Sequence, residues 1–273
     1  MEIRRVQEIG GTCMVSLPKK WVRGLGIKKG STLAIEMGRE GALVIYPFRK
    51  ERGPKYVEIR YPLSSQSQLF NEMVAAYLSG YEVIKVKGVV RIDYRDREVI
   101  KDVARRLIGL EIVEEDATSI TIQFLIEASS LNPKRLFTRM HVITRGMYTD
   151  AVSSIIDKDG ELARVVIERD DEVDRLYFLL VRLLRSVALD PSLGVEVGLS
   201  PIDCLDYRVA SGILEGVGDL SVQLAELWDV NIKNKEVLKK VVSELGFMQE
   251  RAVNSFLEKS RSCLLYTSPS PRD

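Results

Sequence analysis

Val165-Val166-Ile167-Glu168-Arg169-Asp170-Asp171-Glu172-Val173-Asp174-Arg175-Leu176 carries its apolar and charged residues at helical spacing. Leu162, Val166, Val173, Leu180 and Leu184 recur at steps of four and seven, which puts them on one stripe of a helix. Asp170 and Asp174 are four apart, so they stack one turn above the other on a side that borders this stripe. Outward from this stretch, Asp159 caps the helix and Asp190-Pro191 stops it near Leu189. Asn132-Pro133, an N-cap and first-turn pair, opens an earlier helix running to about Ile156, and Ser200-Pro201 opens a later one running to about Trp228. Three long amphipathic helices with modest connections predict an antiparallel bundle over residues 132–230. Residues 234–261 place Val241, Leu245, Met248, Ala252 and Phe256 at helical spacing. That further helix would lack partners of its own if the chain stopped there.

N-terminal to the bundle the pattern changes. Residues 54–130 alternate: strands at Val57–Tyr61 and Glu82–Val86 enclose a helix from Ser67 to about Leu78, a charged helix spans about Tyr94 to Leu107, and strands follow at Glu111–Glu114 and Ser119–Leu125. This is a small α/β unit. Residues 1–50 read as short strands with glycine turns: Arg4–Ile9, then Gly10-Gly11, then Thr12–Leu17, a helical turn behind Pro18, and the strands Ser31–Met37 and Ala42–Tyr46 about the turn Gly38-Arg39-Glu40-Gly41. The fold class expected is therefore multidomain α+β: an N-terminal β domain, a small α/β middle unit and a C-terminal antiparallel helical bundle. After Arg261 the chain reads Ser-Cys-Leu-Leu-Tyr-Thr-Ser-Pro-Ser-Pro-Arg-Asp, an abrupt break from the helical pattern. Residues 262–273 look like translated adapter sequence, a suspected non-native tail.

The whole chain is nearly neutral, with 40 Lys/Arg against 39 Asp/Glu, but residues 1–55 hold 12 Lys/Arg against 5 Asp/Glu. A basic head on a mildly acidic body points to a polyanion at the head. No apolar run approaches the ~18 residues of a membrane span, and Met1-Glu2-Ile3-Arg4-Arg5 lacks the apolar core of a secretory signal. Cys13, Cys204 and Cys263 stand far apart without a CxxC, and there is one His, which argues against a disulfide framework and a Cys/His zinc site. A soluble, reduced, cytoplasmic protein is expected.

Two constellations invite chemistry. Arg4, Arg5, Lys19, Lys20 and Arg23 are a basic set that could neutralise phosphates, with Arg also able to read guanine edges; an ordinary solvated face is the plainer alternative. Glu215 and Asp219 repeat the i, i+4 geometry of Asp170 and Asp174, so two adjacent helices could supply four carboxylates to a hard or borderline cation. Against this, Glu215 and Asp219 lie nearly opposite the apolar stripe Ile202, Val209, Ile213, Leu220 and Leu224, where solvated carboxylates normally sit. Arg169, Arg175 and Arg208 could pair with them at a surface value of ~0.3–0.5 kcal/mol. Asp171 and Glu172 face elsewhere, and His141 reads as a packing or surface residue. No phosphate-binding glycine loop, nucleophile elbow, Cys/His dyad or Glu-x-x-His repeat is present, so no enzyme and no organic cofactor are expected.

The head's order of elements is specific in combination: Arg4-Arg5-Val6-Gln7-Glu8-Ile9-Gly10, then Val15-Ser16-Leu17-Pro18-Lys19-Lys20-Trp21, then Leu25-Gly26-Ile27, then Lys29-Gly30-Ser31 before the third strand. It resembles the AbrB/SpoVT/MazE family of swapped-hairpin DNA-binding domains. The resemblance implies a homodimer formed through residues 1–50, with interlaced hairpins presenting a basic surface to double-stranded DNA. Many members have a basic residue after the glycine of the first turn, where this chain has Gly11.

Residues 133–228 resemble one three-helix bundle of the PhoU family, carried by Glu168-Arg169-Asp170-Asp171-Glu172-Val173-Asp174 and Leu214-Glu215-Gly216-Val217-Gly218-Asp219. Family E(D)xxxD motifs on these helices can bind multinuclear metal clusters at the bundle surface. That implies Asp170, Asp174, Glu215 and Asp219 as ligands for Fe, Zn, Mn or Mg. Complete members have two bundles in tandem, so residues 234–261 would begin a second bundle that is cut short. The pairing of such a head with such a body is similar to archaeal phosphate-uptake regulators. It implies a DNA-binding transcriptional regulator of phosphate homeostasis whose body responds to metal, phosphate or a transporter partner. The alternative is a dimeric adaptor docking on a phosphate transporter ATPase or a sensor kinase, with Gly11 in its favour. A metal-dependent phosphohydrolase lacks a nucleophile and a general acid. The role of residues 54–130 stays open between spacer, dimer interface and small-ligand sensor.

Overall fold

Gly10 and Gly11, at φ 59° and 78°, close a tight turn between β1 (Gln7–Ile9) and β2 (Thr12–Met14). Only glycine adopts this left-handed pair without strain. The computed structural model describes residues 3–37, 41–47 and 53–259. Behind β2, Pro18 caps the short helix α1 (Lys19–Gly24), and β3 (Leu33–Met37) pairs antiparallel with β4 (Leu43–Pro47), Ile35 opposite Ile45. The turn at 38–40, the segment 48–52 and the whole suspected tail lie outside the described residues.

Residues 1–53 form one unit and residues 54–273 another. In the first, β1–β2 and β3–β4 are separate two-stranded ladders, and no described residue is buried. Val6, Ile9, Ile35 and Leu43 are 67, 58, 62 and 63% exposed. β1 and β2 are three residues each, shorter than the expected Arg4–Ile9 and Thr12–Leu17. An isolated hairpin is marginal in water, so pairing stops where no third strand extends it.

The second unit begins with β5 (Tyr56–Tyr61), α2 (Gln66–Leu78), β6 (Val83–Gly88), α3 (Tyr94–Arg106), β7 (Leu110–Glu115) and β8 (Ser119–Phe124). The sheet order is β5-β6-β8-β7; β5 and β6 are parallel and the other pairs antiparallel. Leu69, Met73 and Tyr77 of α2 and Ile100 and Val103 of α3 share one core with Ile84, Val86, Ile120 and Ile122 of the sheet. Alternation therefore leaves Glu58, Arg60, Lys85 and Lys87 on the opposite face.

The helical body comprises α4 (Pro133–Asp157), α5 (Gly160–Leu189), α6 (Pro191–Val197), α7 (Pro201–Ala225) and α8 (Lys235–Glu258). Asn132, Asp159 and Ser200 are the N-caps expected, and Ser200 with Asp203 forms a reciprocal capping box. Pro191 does not only end α5. It occupies the first turn of α6, for which Asp190 serves as cap, because a proline suits a helix start as well as a stop. The further helix, α8, does find partners: Phe256 lies 5.0 Å from the Phe137 ring and 4.9 Å from that of Tyr207, and Arg145 pairs with Glu250 at 2.9 Å.

Arg182 of α5 joins the α/β part to the bundle. It is 4% exposed, and burial works against its charge while Tyr77 and the Glu82 carboxylate favour it. Its guanidinium donates to the carbonyls of Tyr77 and, at 2.9 Å, of Tyr81, and lies 3.9 Å from the centre of the Phe124 ring. The C-terminal carbonyls of α2 and two aromatic faces together replace its water. Arg182→Met keeps the volume but leaves those carbonyls unpaired, and is expected to cost about 2–4 kcal/mol. Denaturant unfolding of the full chain checks this; a change under half a kcal/mol would contradict it.

Candidate functional site

α7 meets its neighbours mostly through small side chains, with Leu214 among them. Cys204, Ser211, Leu214, Gly218, Ser221 and Ala225 are buried, while Ile202, Leu205, Val209, Ile213 and Leu220 are 62–64% exposed. This corrects the orientation expected from hydropathy: the apolar stripe turns outward. Close approach accompanies it. A Cβ at Gly218 would stand 2.9 Å from Asp170 Oδ1 and 3.6 Å from Val173 Cγ1, so any larger residue would push the Asp170 carboxylate aside.

That approach draws the carboxylates together. Asp170 Oδ1 is buried without a hydrogen-bond partner among the described residues. Burial, then the charges of Asp174, Asp219, Asp171 and Glu215, push the Asp170 carboxyl up to about 6. Asp174 is raised by burial, Asp219 and Asp171, with Arg106 acting against them. Glu215 is raised by burial, Asp219 and Asp174, with Arg208 opposing. The four expected ligands thus form one electrostatic group, with Asp170, Asp174 and Glu215 half-buried and Asp219 exposed. The nearby cations are largely engaged elsewhere: Arg169 pairs with Asp150, Arg139 with Glu172, and Arg208 lies 5.1 Å from the centre of the Tyr177 ring.

Oxygen-only donors and a buried, unpartnered carboxylate oxygen suit a hard divalent cation. Among the described residues, no three His, Cys, Asp or Glu side chains already converge at ligand geometry. A cation would have to draw these four inward. His141 stands apart, buried between α4 and α8 with Nδ1 3.1 Å from Gln249 Nε2. Burial and Arg145 hold its ring below the usual histidine range. It is a packing residue, as expected.

The basic set of the head is exposed throughout. Arg4 and Arg5 precede β1, and Lys19, Lys20 and Arg23 stand on α1. A cavity of about 670 Å³ between α7 and α8 is almost wholly apolar, lined by Ile213, Leu214, Leu220, Leu245, Met248 and Phe256. Sequence reasoning missed this groove and the role of Gly218. The signal lay in Ser211, Gly218 and Ala225, small residues seven apart.

Asp170 holds its proton in the fold at a pH where the unfolded chain has released it. The native state is then the better proton binder between the ordinary carboxylate range and about 6. Stability from this group is present at the acidic end and is lost as pH rises through about 6. Asp170→Asn is therefore expected to melt above wild type at about pH 7.5, and the two to converge towards about pH 4. A variant that melts lower at the higher pH would contradict a strained carboxylate.

Residues 137–228 match the PhoU domain family, from within α4 to just beyond α7. Residues 6–53 match the family described as antidote-toxin recognition MazE, bacterial antitoxin. A phosphate-specific transport system accessory protein PhoU homolog from Aquifex aeolicus (strain VF5) is 31% identical over 109 residues, 39% of this chain and 49% of the relative. The chain thus spans about half the length of the curated relative it matches. No solved structure matches it. No helix among the described residues is long and apolar enough to cross a membrane. The carboxylate pairs on α5 and α7 thus lie inside the segment that matches the PhoU domain family, and the basic set lies within or beside the segment that matches the MazE antitoxin family.

Proposed function

We propose that this chain is a DNA-binding transcriptional regulator of phosphate uptake that works in the cytoplasm as a homodimer, without enzymatic activity. The observation that carries this is a basic head with no buried residue among its described residues. Such a unit gains a core only by adding a second chain, and its exposed Val6, Ile9, Ile35 and Leu43 supply the apolar surface for that. Arg4, Arg5, Lys19, Lys20 and Arg23 then double in number and contact the phosphates of duplex DNA. The body takes a divalent cation (Fe, Zn, Mn or Mg) on Asp170, Asp174, Glu215 and Asp219. A cation there neutralises the mutual repulsion of these groups and so favours one arrangement of α5 and α7. Coupling to the head requires that DNA prefer one such arrangement.

A second reading has its own observation. The exposed aliphatic face of α7 is a large apolar surface of the kind that marks a protein contact. An adaptor would use it to dock on a phosphate transporter ATPase or a sensor kinase, its head serving only to dimerise.

Titrating the full chain with duplex DNA from upstream of its gene and with unrelated duplex, at several salt concentrations, separates the two. The regulator binds the upstream duplex more tightly, weakens steeply with salt, and loses affinity in Lys20→Ala and Arg23→Ala. Absence of binding at moderate salt leaves the adaptor. Equilibrium dialysis against Mn²⁺ tests the cation separately: the quadruple alanine variant at Asp170, Asp174, Glu215 and Asp219 is expected to lose the bound metal, and wild-type metal content in that variant would remove the site.

A further inference from the structure

The two edges of the four-stranded sheet are built differently. β7 is bulged between Ile112 and Glu114 and carries Glu111, Glu114 and Glu115. A bulge and a row of like charges both oppose pairing with another strand. β5 has neither. It pairs with β6 without a break from Tyr56 to Tyr61, and it reads Tyr-Val-Glu-Ile-Arg-Tyr. The Lys55 carbonyl accepts from Val83 N at 3.1 Å, so alternation turns the N–H and C=O groups of Tyr56, Glu58 and Arg60 to the open side. Glu58 and Arg60 are exposed, and neither makes an ion pair among the described residues.

We propose that β5 pairs antiparallel with β5 of a second copy of this chain, about a two-fold axis at Ile59, joining the two sheets into one. Two-fold registers centred on Val57, Glu58, Ile59 or Arg60 use the open backbone groups. Centred on Val57, the axis sets Tyr56 opposite Glu58 and Arg60 opposite Pro54, without opposite charges. Centred on Glu58, the axis sets carboxylate against carboxylate; centred on Arg60, guanidinium against guanidinium. Centred on Ile59, it sets Glu58 of each copy opposite Arg60 of the other, twice. In that register the Glu58 N–H donates to the Arg60 carbonyl across the axis and the Arg60 N–H to the Glu58 carbonyl. Pro62, which has no N–H, falls opposite Tyr56 and ends the ladder. Between β5 and α2 lies a cavity of about 380 Å³ bounded by Val57, Ile59, Leu63, Ala75, Ala76 and Ser79. It receives the helix-side Val57 and Tyr61 of the entering strand.

This interface stands on the sheet edge and not on the head. A head-to-head dimer would raise its effective concentration, since only residues 48–55 separate β4 from β5, but would not create it. The test reads the edge directly. Hydrogen exchange of the full chain, followed at Glu58 and Arg60, is expected to be slow in wild type and at least about tenfold faster in Arg60→Glu and in Glu58→Arg. The double variant Glu58→Arg/Arg60→Glu restores opposite charges and should regain the protection, while Ile84 and Ile122 stay protected in all four proteins as the control for folding. Open-edge exchange in wild type, or a double variant no slower than the singles, overturns the pairing. A dimer held only by the head leaves the β5 edge open in wild type, the first of these results, so the two interfaces fail separately.

Discussion

α7 packs inward with a face of mostly small residues around Leu214, and the properties of the body follow from that contact. At Gly218 this face leaves room for the Asp170 carboxylate, whose Oδ1 is buried there. Once there, Asp170 feels Asp174, Asp219 and Glu215 as well as its burial, and its carboxyl is pushed up to about 6. The same choice of face turns the aliphatic side of α7 outward, where part of it walls the groove shared with α8. One packing decision thus stores charge repulsion on one side of a helix and leaves apolar surface on another. Both are costs in a free chain, and both are of the kind that a ligand would remove: the proposed cation in the first case, a protein or further chain in the second.

The head shows the opposite economy. Its ladders are short, its glycines fix the turns, and its described apolar residues Val6, Ile9, Ile35 and Leu43 are exposed. In the proposed dimer such a segment would depend on association for a core. The α/β part has a closed core of its own, and Arg182 anchors it to α5 through the carbonyl end of α2.

Much of this architecture is legible from residue order, because the signals are local. Asn132-Pro133, Asp159 and Ser200-Pro201 mark helix starts through hydrogen bonds their own side chains make, and the strand and glycine pattern of the head needs no distant partner. The carboxylate pairs are visible for the same reason, each lying within one helix. What cannot be read locally is which face of α7 turns inward. Hydropathy favours the aliphatic stripe, but the inward face is one of mostly small residues around Leu214, with Gly218 leaving room for Asp170. Arg182 escapes notice likewise: its partners are backbone carbonyls a hundred residues away, which no side-chain pattern announces. Pro191 misleads because its fixed φ serves a helix end and a helix start equally.

In the proposed regulator the carboxylate group and the basic head act on one another. The most direct test measures the affinity of the full chain for duplex DNA with saturating Mn²⁺ and with chelator, in wild type and in Asp170→Asn. A shift of about fivefold or more in wild type, absent from the variant, is the result predicted. Equal affinity with and without the cation, or the same shift in both proteins, would contradict it.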